Sequence, residues 1–220
     1  MDESLSVDGR TRYACDTTHT DNSDRPIFVT AYTVGNGYEE LALRLMQSVS
    51  AQGRPCVARS IPIHQAGWAA TAALKARVIR EMVCDRFPHR PVVWLDADAI
   101  MVRDPVALDH METPLGVHRL GPELLTGTMY WRRDRCTTRV LDRWVQVCDE
   151  NPAVWDQRLL GRVLDEVGMS PQLLEPEYCW IDAAWGTAQQ GNDISAMYYG
   201  GDHDPVIVHT QASRRLRKSR

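Results

Sequence analysis

The apolar run Val92-Val93-Trp94-Leu95, which stops at Asp96-Ala97-Asp98, constrains the fold more than any other stretch of the chain. Bounded upstream by Pro88 and Pro91, it reads as a buried strand of the kind found inside parallel sheets. Two strand-and-helix units precede it. Ile27 to Thr33 is β-prone and ends at the turn Gly35-Asn36-Gly37. Leu41, Leu45 and Val49 then recur at helical spacing until Gly53 and Pro55, and Cys56 to Ile61 forms a second strand candidate. Trp68 to Val83 places Ala72, Ala76, Ile79 and Val83 on one helical face. Parallel strands need crossover connections, normally helical, so this β-α-β-α-β order predicts an α/β fold with helices against a parallel sheet. Ligands in such folds gather at the carboxyl ends of strands, which is where Asp96 and Asp98 lie. Downstream, Pro114 to Val117, Leu124 to Trp131 and Pro205 to His209 are further strand candidates. Thr137 to Cys148 carries Val140, Trp144 and Val147 at helical spacing, and another helix follows Pro152.

A chain of 220 residues with 44% hydrophobic content can bury a full core. The reading is one domain over residues 25–213, between a flexible polar tail (1–24) and a basic tail (214–220). A net charge of -4 announces no polyanionic partner. Cys15, Cys56, Cys84, Cys136, Cys148 and Cys179 are scattered without metal-site spacing, so they read as buried thiols of a reducing compartment. No run approaches the roughly 18 apolar residues of a membrane span, and the amino end is polar and acidic, unlike a secretory leader. The expectation is a cytoplasmic protein without a transmembrane segment.

Two carboxylates in alternation at a strand end can share a hard divalent cation that keeps coordination positions open for substrate phosphates. The structural alternative is that Asp96 caps the next turn and Asp98 is solvated. A second enzymatic alternative is a haloacid-dehalogenase-like phosphatase, which also places Asp-x-Asp after an apolar strand. In that family the motif normally sits on the first strand, and Gly201-Asp202-His203-Asp204 imitates its late acidic motif only weakly.

Trp94-Leu95-Asp96-Ala97-Asp98-Ala99-Ile100, Leu125-Thr126-Gly127-Thr128-Met129-Tyr130-Trp131, Trp155-Asp156-Gln157 and His209, in this order, resemble GT-A glycosyltransferases, in particular the retaining family 8-like group. The resemblance runs from about Pro26 to Arg215. It implies a single GT-A (Rossmann-like) domain with a central, mostly parallel sheet flanked by helices. The implied activity is metal-dependent transfer of a sugar from a nucleoside-diphosphate sugar to an acceptor hydroxyl, with Mn2+ or Mg2+ as cofactor.

By the same resemblance, Thr30, Ala31, Tyr32 and Thr33 meet the nucleotide base and ribose, with Tyr32 either stacking on the base or packing at the strand end. Lys75 reaches the donor, a position where a lysine is otherwise a solvated helix residue. Asp96, Ala97 and Asp98 line the donor site, and Asp96, Asp98 and His209 are the implied metal ligands. Arg215 takes the family's lysine position against the diphosphate, while Ala212 replaces the family's glycine and changes the backbone approach there. Thr126 and Gly127 stand where the family has Asn-x-Gly and line the sugar or acceptor. Asp156 grips sugar hydroxyls or the acceptor and Gln157 stabilises the oxocarbenium-like centre; the structural alternative for Asp156 is a carboxylate complementing a helix dipole. Trp155, Trp180 and Trp185 serve as platforms for sugar rings or as core. The acceptor is expected to be a saccharide or small molecule, or a hydroxymethylated DNA base met by the tail Arg214 to Arg220. A non-catalytic sugar-nucleotide-binding protein is the remaining alternative, and a pure binding module would have little use for the metal-site residues.

Overall fold

The computed structural model describes residues 25–182, 193–200 and 203–212. The expectations for the two tails, Cys15, Trp185, Gly201-Asp202 and Arg215 lie outside them. The first half follows the predicted order: β1 (Ile27–Thr33), α1 (Tyr38–Ala51), β2 (Cys56–Ile61), α2 (Trp68–Glu81) and β3 (Val92–Leu95). It continues through β4 (Ala99–Met101), β5 (Leu115–Leu120), β6 (Glu123–Trp131), α3 (Arg135–Glu150), α4 (Asp156–Val167), β7 (Gln172–Leu173), β8 (Trp180–Ile181), α5 (Ile194–Tyr199) and β9 (Ile207–His209).

Six strands form the main sheet in the order β2-β1-β3-β6-β5-β7. The pairs β1/β2, β1/β3 and β5/β7 are parallel, whereas β6 runs antiparallel to both β3 and β5. The mostly parallel expectation therefore holds, with a reversal at β6 that the sequence reading did not contain. The strand expected from Pro114 to Val117 runs on to Leu120 and turns back into β6 at Gly121, whose φ of 59° suits a residue without a Cβ. A second sheet, β4-β9-β8, was not expected at all. Its middle strand pairs Ala99 with His209 and Ile181 with His209, joining segments far apart in the chain.

Alternation along the central strands divides the core in two. Ile27 and Val29 of β1 and Val92 and Trp94 of β3 pack with the inner faces of α2, α3 and α4. Phe28, Tyr32, Val93 and Leu95 pack on the other side with Leu45 and Val49 of α1. Helix α3 starts from a capping box in which the Asp134 carboxylate accepts the Thr137 N–H at 2.7 Å, an arrangement worth about 1 kcal/mol. It buries Val140, Leu141, Trp144 and Val147, each contributing about 1.5–3 kcal/mol where burial is complete. Helix α2, with the π-helical turn Met82–Arg86 that extends it, lies antiparallel to α3, joined by Arg77–Asp149, Arg80–Asp142 and Cys84–Thr138 contacts.

Two expectations need correction. Ala72 does not join Ala76 and Ile79 in the core but lines the cavity described below, while Ala73 is buried instead. Cys136 is exposed, because it falls on the outer face of the first turn of α3; Cys56, Cys84, Cys148 and Cys179 are buried. Burial pushes the Cys148 thiol up to about 12, so it stays protonated. Among the described residues no helix is long and apolar enough to cross a membrane.

Candidate active site

A cavity of about 720 Å³ opens at the carboxyl ends of β1 and β3. Asp96 follows Trp94 in the strand alternation and so faces α2, where Lys75 projects from the buried side of the helix. Lys75 Nζ lies 2.8 Å from Asp96 Oδ1 and 3.2 Å from Asp156 Oδ2, and donates to Thr126 Oγ1 at 3.1 Å. Thr126 in turn donates to Asp156 Oδ2 at 3.0 Å, and the Trp94 indole donates to Asp96 Oδ1 at 2.8 Å. Burial pulls the Lys75 pKa down, but Asp156 and Asp96 outweigh it and hold the ammonium above its ordinary value. Asp156 is fixed from behind, since the buried Trp144 indole donates to its carbonyl at 3.0 Å. Asp156 also opens α4, so its carboxylate complements the helix dipole as well as pairing with Lys75.

Asp98 turns the other way. Its Oδ2 accepts the Ala212 N–H at 2.7 Å, and its carbonyl accepts from Thr210 N and Oγ1 at 3.2 and 3.1 Å. His209 Nδ1 stands 3.9 Å from Asp98 Oδ1, while Nε2 meets Thr128 Oγ1 at 2.8 Å. Burial would raise the Asp98 pKa, but His209 and the Ala212 N–H hold it below the usual carboxylate value. For His209, burial favours the neutral ring, yet Cys179 and Asp98 beside it raise the pKa. Gly127 makes room for this ring: a Cβ there would meet His209 Cε1 at 2.9 Å and Nδ1 at 3.0 Å.

The three expected metal ligands thus share one cavity but are divided between two sets of partners. Among the described residues, no three His, Cys, Asp or Glu side chains converge as a metal site. The donor set of two carboxylates and an imidazole fits Mn2+ or Mg2+ by its chemistry, and Asp96, Asp98 and His209 would be the residues to hold such a cation.

The other expected residues fall as follows. Ala31, Tyr32, Thr33, Ala97, Thr126 and Gln157 line the cavity. Tyr32 is also packed into the α1-side core. Thr30 is not in the wall: it is fully buried and its hydroxyl has no hydrogen-bond partner. Ala212 is near the site, but its amide is taken by Asp98. Trp155 lines the cavity rim at 48% exposure, whereas Trp180 is buried beside His203. The sequence reading missed Asn36, Trp68, Cys179 and Gln211, all in the wall. The Gly35-Asn36-Gly37 turn was the available signal for Asn36, whose Nδ2 donates to Thr33 Oγ1 at 2.6 Å.

The sequence profile described as nucleotide-diphospho-sugar transferase matches residues 65–218. No curated protein matches the chain in sequence. The solved structures that share its fold include three glycosyltransferases. A glycosyltransferase involved in glycosylation of the major capsid of PBCV-1 superposes with a TM-score of 0.63 at 14% identity, over 88% of this chain and 98% of that one. The glycosyltransferase GlyE of Streptococcus pneumoniae TIGR4 gives 0.59 at 16% identity, over 84% of this chain and 54% of that one. Mouse xyloside xylosyltransferase 1 gives 0.53 at 11% identity, over 86% and 98%. These likenesses bear out the expected GT-A fold, and the profile match sets the phosphatase alternative aside.

Proposed function

Because this chain belongs to the nucleotide-diphospho-sugar transferases, we propose that it moves a sugar from a nucleoside-diphosphate sugar to an acceptor hydroxyl with the help of a divalent cation. The observation that carries the reading is the gathering of Asp96, Asp98, His209, Asp156 and Gln157 around one cavity at the strand ends. Asp96, Asp98 and His209 hold the cation, Mn2+ or Mg2+, which when bound supplies positive charge to the diphosphate leaving group. Ala31, Tyr32 and Thr33 meet the nucleoside end of the donor, and Arg215 completes the diphosphate clamp.

Lys75 pairs with Asp96 and Asp156 and fixes both side chains, so that the site's polar groups are in place before the leaving group departs. Asp156 is held by Lys75 and Thr126 and orients sugar hydroxyls; Gln157, beside it on the first turn of α4, faces the anomeric carbon with an uncharged amide. Neither is arranged as a free nucleophile. Retention of configuration then follows from attack and departure on the same face. Trp155 and Trp68, 48% and 38% exposed at the cavity, offer apolar faces to a saccharide or small-molecule acceptor.

The test needs no acceptor. The purified chain is incubated with UDP- and GDP-sugars and Mn2+, with and without EDTA, and release of nucleoside diphosphate by slow donor hydrolysis is followed. Metal-dependent release from one donor supports the reading and names the sugar. Silence with every donor, together with no binding by calorimetry, rejects it.

A further inference from the structure

Three observations converge on Gln211, which the sequence motifs leave unassigned. Its φ of 51° makes it the one non-glycine residue with positive φ among those described. Side chains disfavour that region because Cβ crowds the carbonyl oxygen. The conformation is imposed from both sides: Thr210 before it and Ala212 after it are both tied to Asp98, the latter at 2.7 Å. Glycine would serve this clasp at lower cost, yet the chain keeps a long polar side chain here.

That side chain lines the cavity, and its Oε1 is buried without a hydrogen-bond partner. A buried carbonyl oxygen left unpaired is unfavourable, and in folded proteins such atoms are nearly always satisfied. Gln211 is therefore strained in its backbone and unsatisfied in its side chain, while sharing a wall with Asp98, His209 and Gln157. Strain and an orphaned polar atom at one residue of a ligand cavity are the signature of a group set up for a ligand.

We infer that Gln211 is a donor-contacting residue whose side-chain carbonyl accepts a hydrogen bond from a hydroxyl of the transferred sugar. The inference rests on the transferase reading above. A carbonyl oxygen can only accept, and at neutral pH a diphosphate presents acceptors alone; the complementary donors are hydroxyls, and with the nucleoside end met by Ala31, Tyr32 and Thr33 those left for Gln211 are the transferred sugar's. Gln211 thus contributes to which sugar is held: the ties of Thr210 and Ala212 to Asp98 fix its backbone beside the cavity, and a turn of its side chain brings the amide oxygen to the sugar.

The experiment compares the full chain with its Gln211→Gly and Gln211→Asn variants by calorimetry in Mn2+. The ligands are UDP, GDP, UDP-glucose, UDP-galactose, UDP-xylose and GDP-mannose. Gln211→Gly relieves the strain, so its Tm should equal or exceed that of the parent. Its Kd for the preferred sugar nucleotide should rise about tenfold, the loss of one hydrogen bond at a buried acceptor. Affinity for the corresponding nucleoside diphosphate should not change. Gln211→Asn, which keeps an amide but withdraws it, should also lose affinity for the sugar nucleotide alone. Unchanged sugar-nucleotide affinity in both variants overturns the inference, as does an equal loss for nucleoside diphosphate and sugar nucleotide, which would place the amide on the nucleoside, the diphosphate or the cation. A parent chain that binds none of the six ligands overturns the transferase reading with it; binding by the parent that both variants retain overturns this inference alone.

Discussion

Arg54 and Lys75 each sit between two carboxylates with little access to water, and the two clusters do different things. The Arg54 side chain, 1% exposed, uses its whole fork: Nε donates to Asp104 at 2.6 Å, and the two terminal nitrogens donate to Asp109 at 2.7 and 2.9 Å. This ties the end of α1 to the 3-10 turn at Val106–His110, away from the cavity. Lys75, 10% exposed, has a point-like ammonium shared among Asp96, Asp156 and Thr126, all in the cavity wall. A guanidinium locked in a bidentate pair has one geometry, whereas an ammonium can redistribute its protons among several acceptors. Burial and pairing are thus common to a staple and to a site; what separates them is whether the anions also face a space that a ligand can enter.

The comparison is tested most severely by Arg54→Met. Losing the guanidinium leaves Asp109 buried, with Arg25 its one remaining ion-pair partner among the described residues, and should lower the free energy of unfolding by about 3–5 kcal/mol in urea. Donor hydrolysis per folded molecule should be unchanged; a loss of hydrolysis without a loss of stability would erase the distinction. Lys75→Met should do the reverse, lowering metal-dependent hydrolysis on the order of 100-fold, with a smaller stability loss because Asp96 remains 36% accessible to solvent. Asp98→Asn should abolish metal-dependent hydrolysis as well, and full turnover in that variant would reject the ligand assignment.

A smaller difference appears at high pH. The Lys75 pKa is raised above its ordinary 10.5 and the Arg54 pKa above its ordinary 12.5. A cation with a raised folded-state pKa contributes stability that is complete below its ordinary value and lost as pH climbs through the folded value. Between those two ordinary values, the stability gap separating the parent from Lys75→Met should narrow while the gap to Arg54→Met stays constant. The smallest effect belongs to Arg25→Ala, which removes the exposed partner of Asp109 at 3.2 Å and should cost less than about 1 kcal/mol in the same urea titration.

The sequence carried β1 to β3 and their helices because each has local punctuation and a regular period: apolar runs, Gly-Asn-Gly, and prolines before β3. The Asp96-Ala97-Asp98 and Trp155-Asp156-Gln157 motifs were legible because they fall at the ends of such elements. The reversal at β6 was not legible, since strand direction depends on pairing with β3 and not on the residues of β6 themselves. Strands β4 and β8 have three and two residues and carry no such period, while β9 was legible within Pro205 to His209 but its pairing with both of them was not. Lys75 was visible as a family position, but its pairing with Asp156 across α2 and α4 is a tertiary fact. The same holds for Gly127, whose closeness to His209 no local pattern announces.

The placement of β9 in the middle of the small sheet has a consequence for synthesis. The six-stranded sheet is complete by Leu173, whereas His209 and the residues that clasp Asp98 emerge from the ribosome later. A nascent chain can therefore assemble its scaffold while β4 and β8 still lack the strand between them. The imidazole beside the cavity is placed only when β9 docks, so a finished scaffold is not yet a finished cavity wall.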